Sequence, residues 1–255
     1  MGPVIVESNI IEIIDMALKD LLTSEGRLKF RIQRSTKTLL ERYAQHDARM
    51  EAADKLREIG TPDAIFGLAR RFSATAENLG TDQEEKKQIQ NVLVAFGDKA
   101  VEPVKKYIEN HDKVTWAIDA LKELQPNEEL VPFLFEVLAE GDSVRIRGEK
   151  AHQILKALET LDEPAVVVGV IPCLSSPDDT VRIAAVECLE VYADERAREP
   201  FLEALVSPEE DSMRVKMKIA EVLEKLNWDV KGYRKKVESA LPEGFRVTSK
   251  GRVTR

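Results

Sequence analysis

The chain has 255 residues, of which 43% are hydrophobic and 33% charged, and its formal net charge is −8. This length and apolar content suffice to bury a sizeable core, while the acidic balance argues against nucleic-acid binding by the protein as a whole. No run of 18 apolar residues occurs, because the longest apolar stretch, residues 10–22, contains four charged residues. A membrane-spanning helix is therefore not expected.

The first residues and the cysteines indicate the cellular compartment of the protein. The first seven residues include no basic side chain, so we expect no secretory signal and a cytoplasmic protein. Cys173 and Cys188 are the only cysteines. We interpret both as small core residues with reduced thiols, a disulfide being the less favoured alternative.

Residues 1–45 are predicted to form an N-terminal helical cap. Residues 7–23 have the spacing of an amphipathic helix, and residues 27–43 form a second helix with a strongly basic character. Its basic surface comprises Arg27, Lys29, Arg31, Arg34 and Lys37, with Arg42 beyond them and Glu41 as the single acid. Its predicted buried stripe comprises Leu28, Ile32, Leu39 and Tyr43.

This basic helix has two interpretations. Its positive face can bind nucleic acid, an acidic membrane or an acidic partner. Alternatively, it caps the fold, and its solvated outer face offsets the acidity of the remaining chain. We favour the capping helix.

Six segments within residues 46–240 repeat one pattern around an anchor leucine. The anchors are spaced by 37, 28, 34, 34 and 34 residues, and they are Leu56, Leu93, Leu121, Leu155, Leu189 and Leu223. The positions four before and three after each anchor are apolar in every copy, and such positions share one face of an α-helix. Self-similarity of this length is typical of a repeat array, in which each unit buries its apolar face against its neighbours.

A second apolar run containing a proline precedes each of the later anchor helices. The prolines are Pro103, Pro132, Pro172 and Pro200, and we expect each in the first turn of a helix, where its missing N–H needs no partner. Polar turns such as residues 175–179 and 207–211 are predicted to lead into the anchor helix. Each repeat is thus predicted to be two antiparallel helices.

Two segments depart from the repeat. Residues 73–85 are polar, and we interpret them as an inserted loop that ends in an N-cap at Thr81 and Asp82, with an extended binding rim as the alternative. Residues 241–255 alternate with a period of two, which predicts a short non-helical segment, either a basic hairpin or a disordered tail. This segment either covers the last repeat or binds a partner.

The most specific motif lies in residues 172–189. It combines a proline in the first helix, an aspartate in the turn, Val181-Arg182 at the start of the anchor helix and Ala184-Ala185 before Leu189. This combination resembles the short HEAT repeats of phycobilisome-lyase-like proteins, and the resemblance covers about residues 46–240. It implies an all-α fold, a right-handed, armadillo-like α-solenoid of about six to seven antiparallel helix pairs. A tetratricopeptide array shares the period, but its Trp, Leu-Gly, Tyr and Pro signature is missing at the required offsets.

In HEAT-like arrays the second helix lines the concave surface, so the resemblance directs two columns of the anchor helices into a groove. These columns lie two residues before and one residue after the anchor. From them and Trp116 we predict a protein-binding surface comprising Trp116, Asp119, Asp54, Lys122, Gln153, Lys156 and Glu187. The resemblance also implies that basic residues seven before the anchor bond turn carboxylates of adjacent repeats: Arg49, Lys86, Arg182 and Lys216.

Trp116 replaces a residue that is polar in most other copies, and it lies one helical turn from Asp119. It packs against the neighbouring repeat or forms a recognition hot spot for a protein partner. A third interpretation is base handling, because HEAT-like alkylpurine DNA glycosylases use concave aromatics with a catalytic Asp and nearby Arg; Asp119, Arg145 and Arg147 resemble that set. The acidic groove columns argue against it, since they repel phosphates.

Residues suited to catalysis are sparse. None of His46, His111 and His152 precedes a glutamate, which argues against the di-iron centre of HEAT-like hydroxylases, and no phosphate-loop, Cys-x-x-Cys or nucleophile-elbow motif occurs. We expect no catalytic residue, metal or cofactor, and a non-catalytic scaffold or adaptor that binds a protein or peptide through its concave surface. The alternative is a lyase-like or glycosylase-like enzyme, or a nucleic-acid-acting protein, that uses the groove at Trp116 and Asp119.

Overall fold

A computed structural model describes residues 23–139 and 148–255. Within these residues the chain is helical apart from one two-stranded sheet, which confirms the all-α fold class. The chain divides into two compact units, Met1–His111 (unit 1) and Asp112–Arg255 (unit 2). The helix predicted over residues 7–23 lies almost entirely outside the described residues. Among the described helices, none combines the length and apolar character needed to cross a bilayer.

The described part of unit 1 contains five α-helices. They are α1 (Ser24–Leu40), α2 (His46–Ile59), α3 (Pro62–Ala69), α4 (Leu79–Ala95) and α5 (Asp98–Asn110). A 3-10 turn, Arg70–Ser73, continues α3. α1 packs against α2 and α3, and α3 packs against α4 and α5. Successive helix pairs of this unit therefore share one apolar interior.

The described part of unit 2 contains eight α-helices and a hairpin. The helices are α6 (Thr115–Leu124), α7 (Asn127–Ala139), α8 (Gly148–Leu158), α9 (Ala165–Val170), α10 (Asp179–Tyr192), α11 (Arg198–Val206), α12 (Met213–Lys225) and α13 (Arg234–Ala240). The 3-10 turns Ile171–Ser175 and Glu195–Ala197 extend α9 and precede α11. Strands β1 (Arg246–Val247) and β2 (Val253–Thr254) form the antiparallel hairpin.

The anchor leucines form the core of both units. All six side chains have no solvent exposure, and the residues four positions earlier are buried in every copy. In unit 2 the anchor helices α6, α8, α10 and α12 contact one another in succession. The first helices α7, α9, α11 and α13 do the same, with the 3-10 turn of α9 meeting α11. The predicted leucine register is confirmed.

Polar residues define where the helices begin. Asp178 caps α10 by accepting a hydrogen bond from the Thr180 N–H at 2.8 Å, as expected of the turn at 175–179. The predicted loop at 73–85 is wrong over its second half, because α4 begins at Leu79 and Asn78, not Thr81 or Asp82, is its N-cap. The polar character misled the prediction because two of these residues, Asp82 and Glu85, are buried. They pair with arginines of other elements, as described below.

Two of the four prolines are not in a first turn. Pro103 and Pro132 are the sixth residues of α5 and α7, whereas Pro200 is the third residue of α11 and Pro172 lies in a 3-10 turn. A proline at the sixth position removes only one intrahelical hydrogen bond. The burial of Val104, Ile108, Leu130 and Leu134 on these two helices offsets that loss.

The buried stripe predicted for the basic helix is only partly correct. Ile32 and Leu39 of α1 are buried and Leu28 is half-buried, but Tyr43 is 69% exposed, so its place in the buried stripe is wrong. The reason is that α1 ends at Leu40, and the chain beyond it no longer follows the helix face.

Of the two alternatives for residues 241–255, the structure shows the hairpin. Its strand β2 packs on α12, where Arg255 reaches Glu221 at 2.6 Å. The hairpin thus covers the last anchor helix.

We expect Leu189→Ala to lower the free energy of unfolding of unit 2 by about 2–5 kcal/mol, because it removes a fully buried leucine from a packed helix. Urea unfolding followed by tryptophan fluorescence measures this unit alone, since Trp116 and Trp228 both belong to unit 2. Val191→Ala on the same helix is the matched control, because Val191 is 59% exposed. Equal destabilisation by both changes would contradict the leucine register.

Candidate binding surface

The groove columns predicted on α8 and α10 form a chain of polar contacts with each other and with two lysines of α12 that lie outside the predicted columns. Lys156 of α8 binds Glu187 of α10 at 2.7 Å. Lys218 of α12 binds Glu190 of α10 at 2.9 Å, and Lys225 binds the same carboxylate at 2.5 Å. We call these residues, together with Lys122 and Gln153, the polar ladder. The ladder places alternating charges along one face of α8, α10 and α12.

The first step of the ladder joins α8 to α6 through an amide. The Gln153 carbonyl accepts hydrogen bonds from the N–H groups of Val114 and Thr115 at 2.8 and 3.1 Å. These groups lie at the N-terminus of α6, where backbone N–H groups lack intrahelical partners. Lys122, in the last turn of α6, donates to the Thr160 hydroxyl at 2.9 Å. The predicted partner-binding side chains are therefore held by contacts within the chain.

Neighbouring lysines keep the Glu190 carboxylate of the ladder ionised. Burial alone would raise the pKa of Glu190, but hydrogen bonds from Lys225 and Lys218 outweigh it and hold the pKa below its ordinary value. Burial alone would lower the pKa of Lys156, but its hydrogen bonds to Glu187 and Glu159 outweigh burial and raise the pKa above its ordinary value. Glu190 and Lys156 are thus fixed charges at neutral pH.

Trp116 and Asp119 lie on α6, next to the ladder. Both are partly exposed, and Asp119 binds Lys122 of its own helix at 3.2 Å. Asp54 of α2 is exposed and pairs with Arg57 at 2.9 Å. Arg145 and Arg147, which completed the glycosylase-like set, lie outside the described residues. Of the predicted set, the structure brings together Asp119 with Lys122 and Lys156 with Glu187.

The basic surface lies on the outer face of α1. Arg27, Lys29, Arg31, Arg34 and Lys37 are all exposed, as is Arg42 after the helix. The sequence pattern did not single out Phe30, which is 50% exposed within this face. The helix packs on α2 and α3 through its opposite side and leaves its positive face in solvent.

A buried ionic cluster in unit 1 was missed at the sequence level. Glu85 of α4, which has no exposed side-chain surface, accepts bonds from Arg49 of α2 at 2.7 Å and from Arg71 at 2.9 Å. Asp82 binds Arg71 at 2.5 Å and Lys86 at 2.6 Å. The signal available was the spacing of Asp82, Glu85 and Lys86, which places all three on one side of a helix.

One expected contact of the repeat arginines is confirmed, because Arg182 binds Glu210, in the turn before α12, at 2.7 Å. Arg49 instead binds Glu85, which lies within the next anchor helix and not in a turn. Lys86 instead bonds Asp82 within its own helix. Burial alone would raise the pKa of Glu85, but hydrogen bonds from Arg49, His46 and Arg71 outweigh it and lower the pKa.

The cysteine and histidine side chains described below make contacts within the fold. Cys173 and Cys188 both remain thiols, and burial raises the pKa of Cys188 to about 12. A thiol with so high a pKa is unreactive at neutral pH. His46 contacts Glu85, and His111 stacks on Tyr107 with ring centroids 4.3 Å apart. No group of three or more metal-binding side chains is present among residues 23–139 and 148–255.

Comparison with known proteins adds no assignment. No family model matches this sequence, and the search of curated proteins found no significant match.

We expect Glu85→Gln to destabilise unit 1 by about 3–5 kcal/mol, because it leaves Arg49 and Arg71 buried without their shared carboxylate. Hydrogen–deuterium exchange of peptides within residues 46–95 measures the change in unit 1. Glu84→Gln is the matched control, since Glu84 is exposed beside it. Protection lost equally in both variants would contradict the role of the cluster.

The same carboxylate predicts a pH dependence. The pKa of Glu85 is lower in the folded protein than its ordinary value of 4.5, so its stabilising contribution is complete above that value. The contribution is lost as the pH falls through the lower folded pKa. Acid titration should therefore destabilise wild-type unit 1 more steeply than the Glu85→Gln variant below about pH 4.5. Parallel acid profiles for the two proteins would be inconsistent with this linkage.

Proposed function

We propose that this protein is a non-catalytic scaffold of HEAT-like repeats, arranged as a right-handed α-solenoid, that binds a protein partner through its anchor helices. The observation that carries the proposal is the polar ladder of α6, α8, α10 and α12. Its side chains repeat from helix to helix and remain partly accessible, with Lys156 40% and Glu187 30% exposed. A repeated, mixed-charge face of this kind suits recognition of an extended partner.

The contacts within the ladder favour binding over catalysis. Side chains already held by neighbouring helices lose less conformational freedom when a partner binds, so less free energy is spent on ordering them. A carboxyl group that acts as a general acid or base near neutral pH requires a raised pKa. Glu190 has the opposite shift, because two lysines stabilise its charged form. These features support a docking face built from fixed charges.

Trp116 is the best single contact residue for the partner. It is partly exposed on α6, one turn from Asp119, and aromatic residues dominate the energetics of protein interfaces. A photo-crosslinking amino acid at position 123, which is exposed two turns from Trp116 on the same face of α6, should capture a defined partner from a lysate of the source cells. We expect Asp119→Lys to reduce that capture at least tenfold, because it reverses a charge beside the contact.

Glu243→Lys provides the matched control, since it makes the same charge change at an exposed residue outside the anchor helices. Capture that is lost equally in both variants, or is absent in the wild type, would count against the scaffold. Binding of duplex DNA that disappears on Trp116→Ala or Asp119→Asn would instead favour the glycosylase-like alternative.

A further inference from the structure

The exposed face of α1 carries a continuous stripe of cations around an aromatic ring. Arg27, Phe30, Arg31, Arg34 and Lys37 follow one another at helical spacings of three, one, three and three residues, which aligns them on one side. All five are exposed, and the stripe itself contains no acidic residue. From Arg27 to Lys37 it extends ~15 Å along the helix axis. We call this surface the cationic stripe.

The like charges of the stripe destabilise the helix that carries them. Like charges three or four residues apart destabilise a helix, whereas alternating charges stabilise it. Lys29, on the flank, follows the stabilising pattern and pairs with Glu25 at 3.1 Å. Within the described part of the chain, no carboxylate lies within salt-bridge distance of Arg31, Arg34 or Lys37. A helix that only capped unit 1 would gain stability from acids at these positions, so the stripe indicates a ligand.

The stripe leads into a depression at the C-terminal end of α1. The depression has a volume of about 480 Å³, and it is lined by Gln33, Thr36, Lys37, Leu40, Glu41, Arg42 and Arg70. Three of these side chains are cationic and one is acidic. Beside it, the Arg42 guanidinium lies 5.6 Å from the ring centre of Tyr43, which is 69% exposed. A second exposed ring thus stands at the far end of the same basic surface.

We propose that the cationic stripe and this depression bind single-stranded nucleic acid. Arg27, Arg31, Arg34 and Lys37 contact successive phosphates, and arginine suits this role because its planar fork donates two parallel hydrogen bonds to one phosphate. Phe30 and Tyr43 stack on bases, which requires bases unpaired from a complementary strand. The site comprises residues of α1, the residues that follow it and Arg70, none of which belongs to an anchor helix, so it is independent of the proposed scaffold function.

The charge distribution of the chain permits this ligand. Unit 1 holds 17 basic and 18 acidic residues, a net charge of −1, whereas unit 2 holds 21 basic and 28 acidic, a net charge of −7. The acidity of the whole protein therefore comes mainly from unit 2. A membrane surface is a poorer fit, because Ile32 and Leu39 are buried and leave Phe30 as the one large apolar residue in the stripe.

Fluorescence anisotropy of the full chain with a labelled thymidine oligonucleotide of about 20 residues tests the proposal. We expect micromolar binding at low salt, with log K falling against log[KCl] at a slope of about −3, the value for four phosphate contacts on a single strand. The triple variant Arg31→Gln, Arg34→Gln, Lys37→Gln should bind the oligonucleotide at least tenfold more weakly. The slope of its salt dependence should be about −1. Phe30→Ala should reduce the affinity for the oligonucleotide by about fivefold or more, and the salt dependence of binding should keep the slope of the wild type.

The matched control removes three exposed lysines of unit 2, Lys231→Gln, Lys235→Gln and Lys250→Gln, with the same change in net charge. Its affinity should stay within about twofold of the wild type, and circular dichroism checks that every variant is folded. Equal losses in both triple variants would overturn the proposal. So would tighter binding to duplex DNA, to phosphatidylserine vesicles or to polyglutamate than to the single strand.

Discussion

The burial of one leucine per anchor helix is the constraint on which the rest of the structure depends. Leu121, Leu155, Leu189 and Leu223 are fully enclosed in unit 2, as Leu56 and Leu93 are in unit 1. Residues on a helix have fixed angular relations, so turning the leucine inward determines which columns face outward. In unit 2 the outward columns carry Lys122, Gln153, Lys156, Glu187 and Glu190 of the polar ladder. One apolar repeat thereby arranges both the core and the candidate binding face.

Unit 1 adds a second, ionic element to this apolar core. Three cations and two carboxylates are buried between α2, α4 and the 3-10 turn that continues α3, with Glu85 bonded to both arginines. Removing so many charges from water is costly, and the attraction between them repays it only when every partner is in place. The cluster therefore selects one arrangement of these elements, because any other would leave an arginine buried and unpaired.

Features set by local periodicity were predictable from the sequence, and features set by distant partners were not. The anchor register, the cap at Asp178 and the C-terminal hairpin follow from residues close together in the chain. The burial of Glu85 in α4 depends on its bond to Arg49, 36 residues away, so the polar residues of this helix looked like a loop. The groove columns were recognisable by composition, but the bond between Lys156 and Glu187 joins residues 31 apart. Tyr43 was misplaced because periodicity alone cannot locate the end of a helix.

The two candidate surfaces differ in how much of their charge remains for a ligand. A ladder residue such as Lys156 already has carboxylate partners, so a bound molecule must share or displace them, and charge contributes little to affinity. Arg31 and Arg34 of the cationic stripe lack such a partner among the described residues, so a ligand displaces only water and counterions. The ladder is therefore suited to recognition by shape and hydrogen bonding, and the stripe to attraction of an anion. Salt should therefore affect the two surfaces differently. The affinity of the cationic stripe for an anion should fall steeply as the salt concentration rises, whereas the affinity of the polar ladder for its partner should change little.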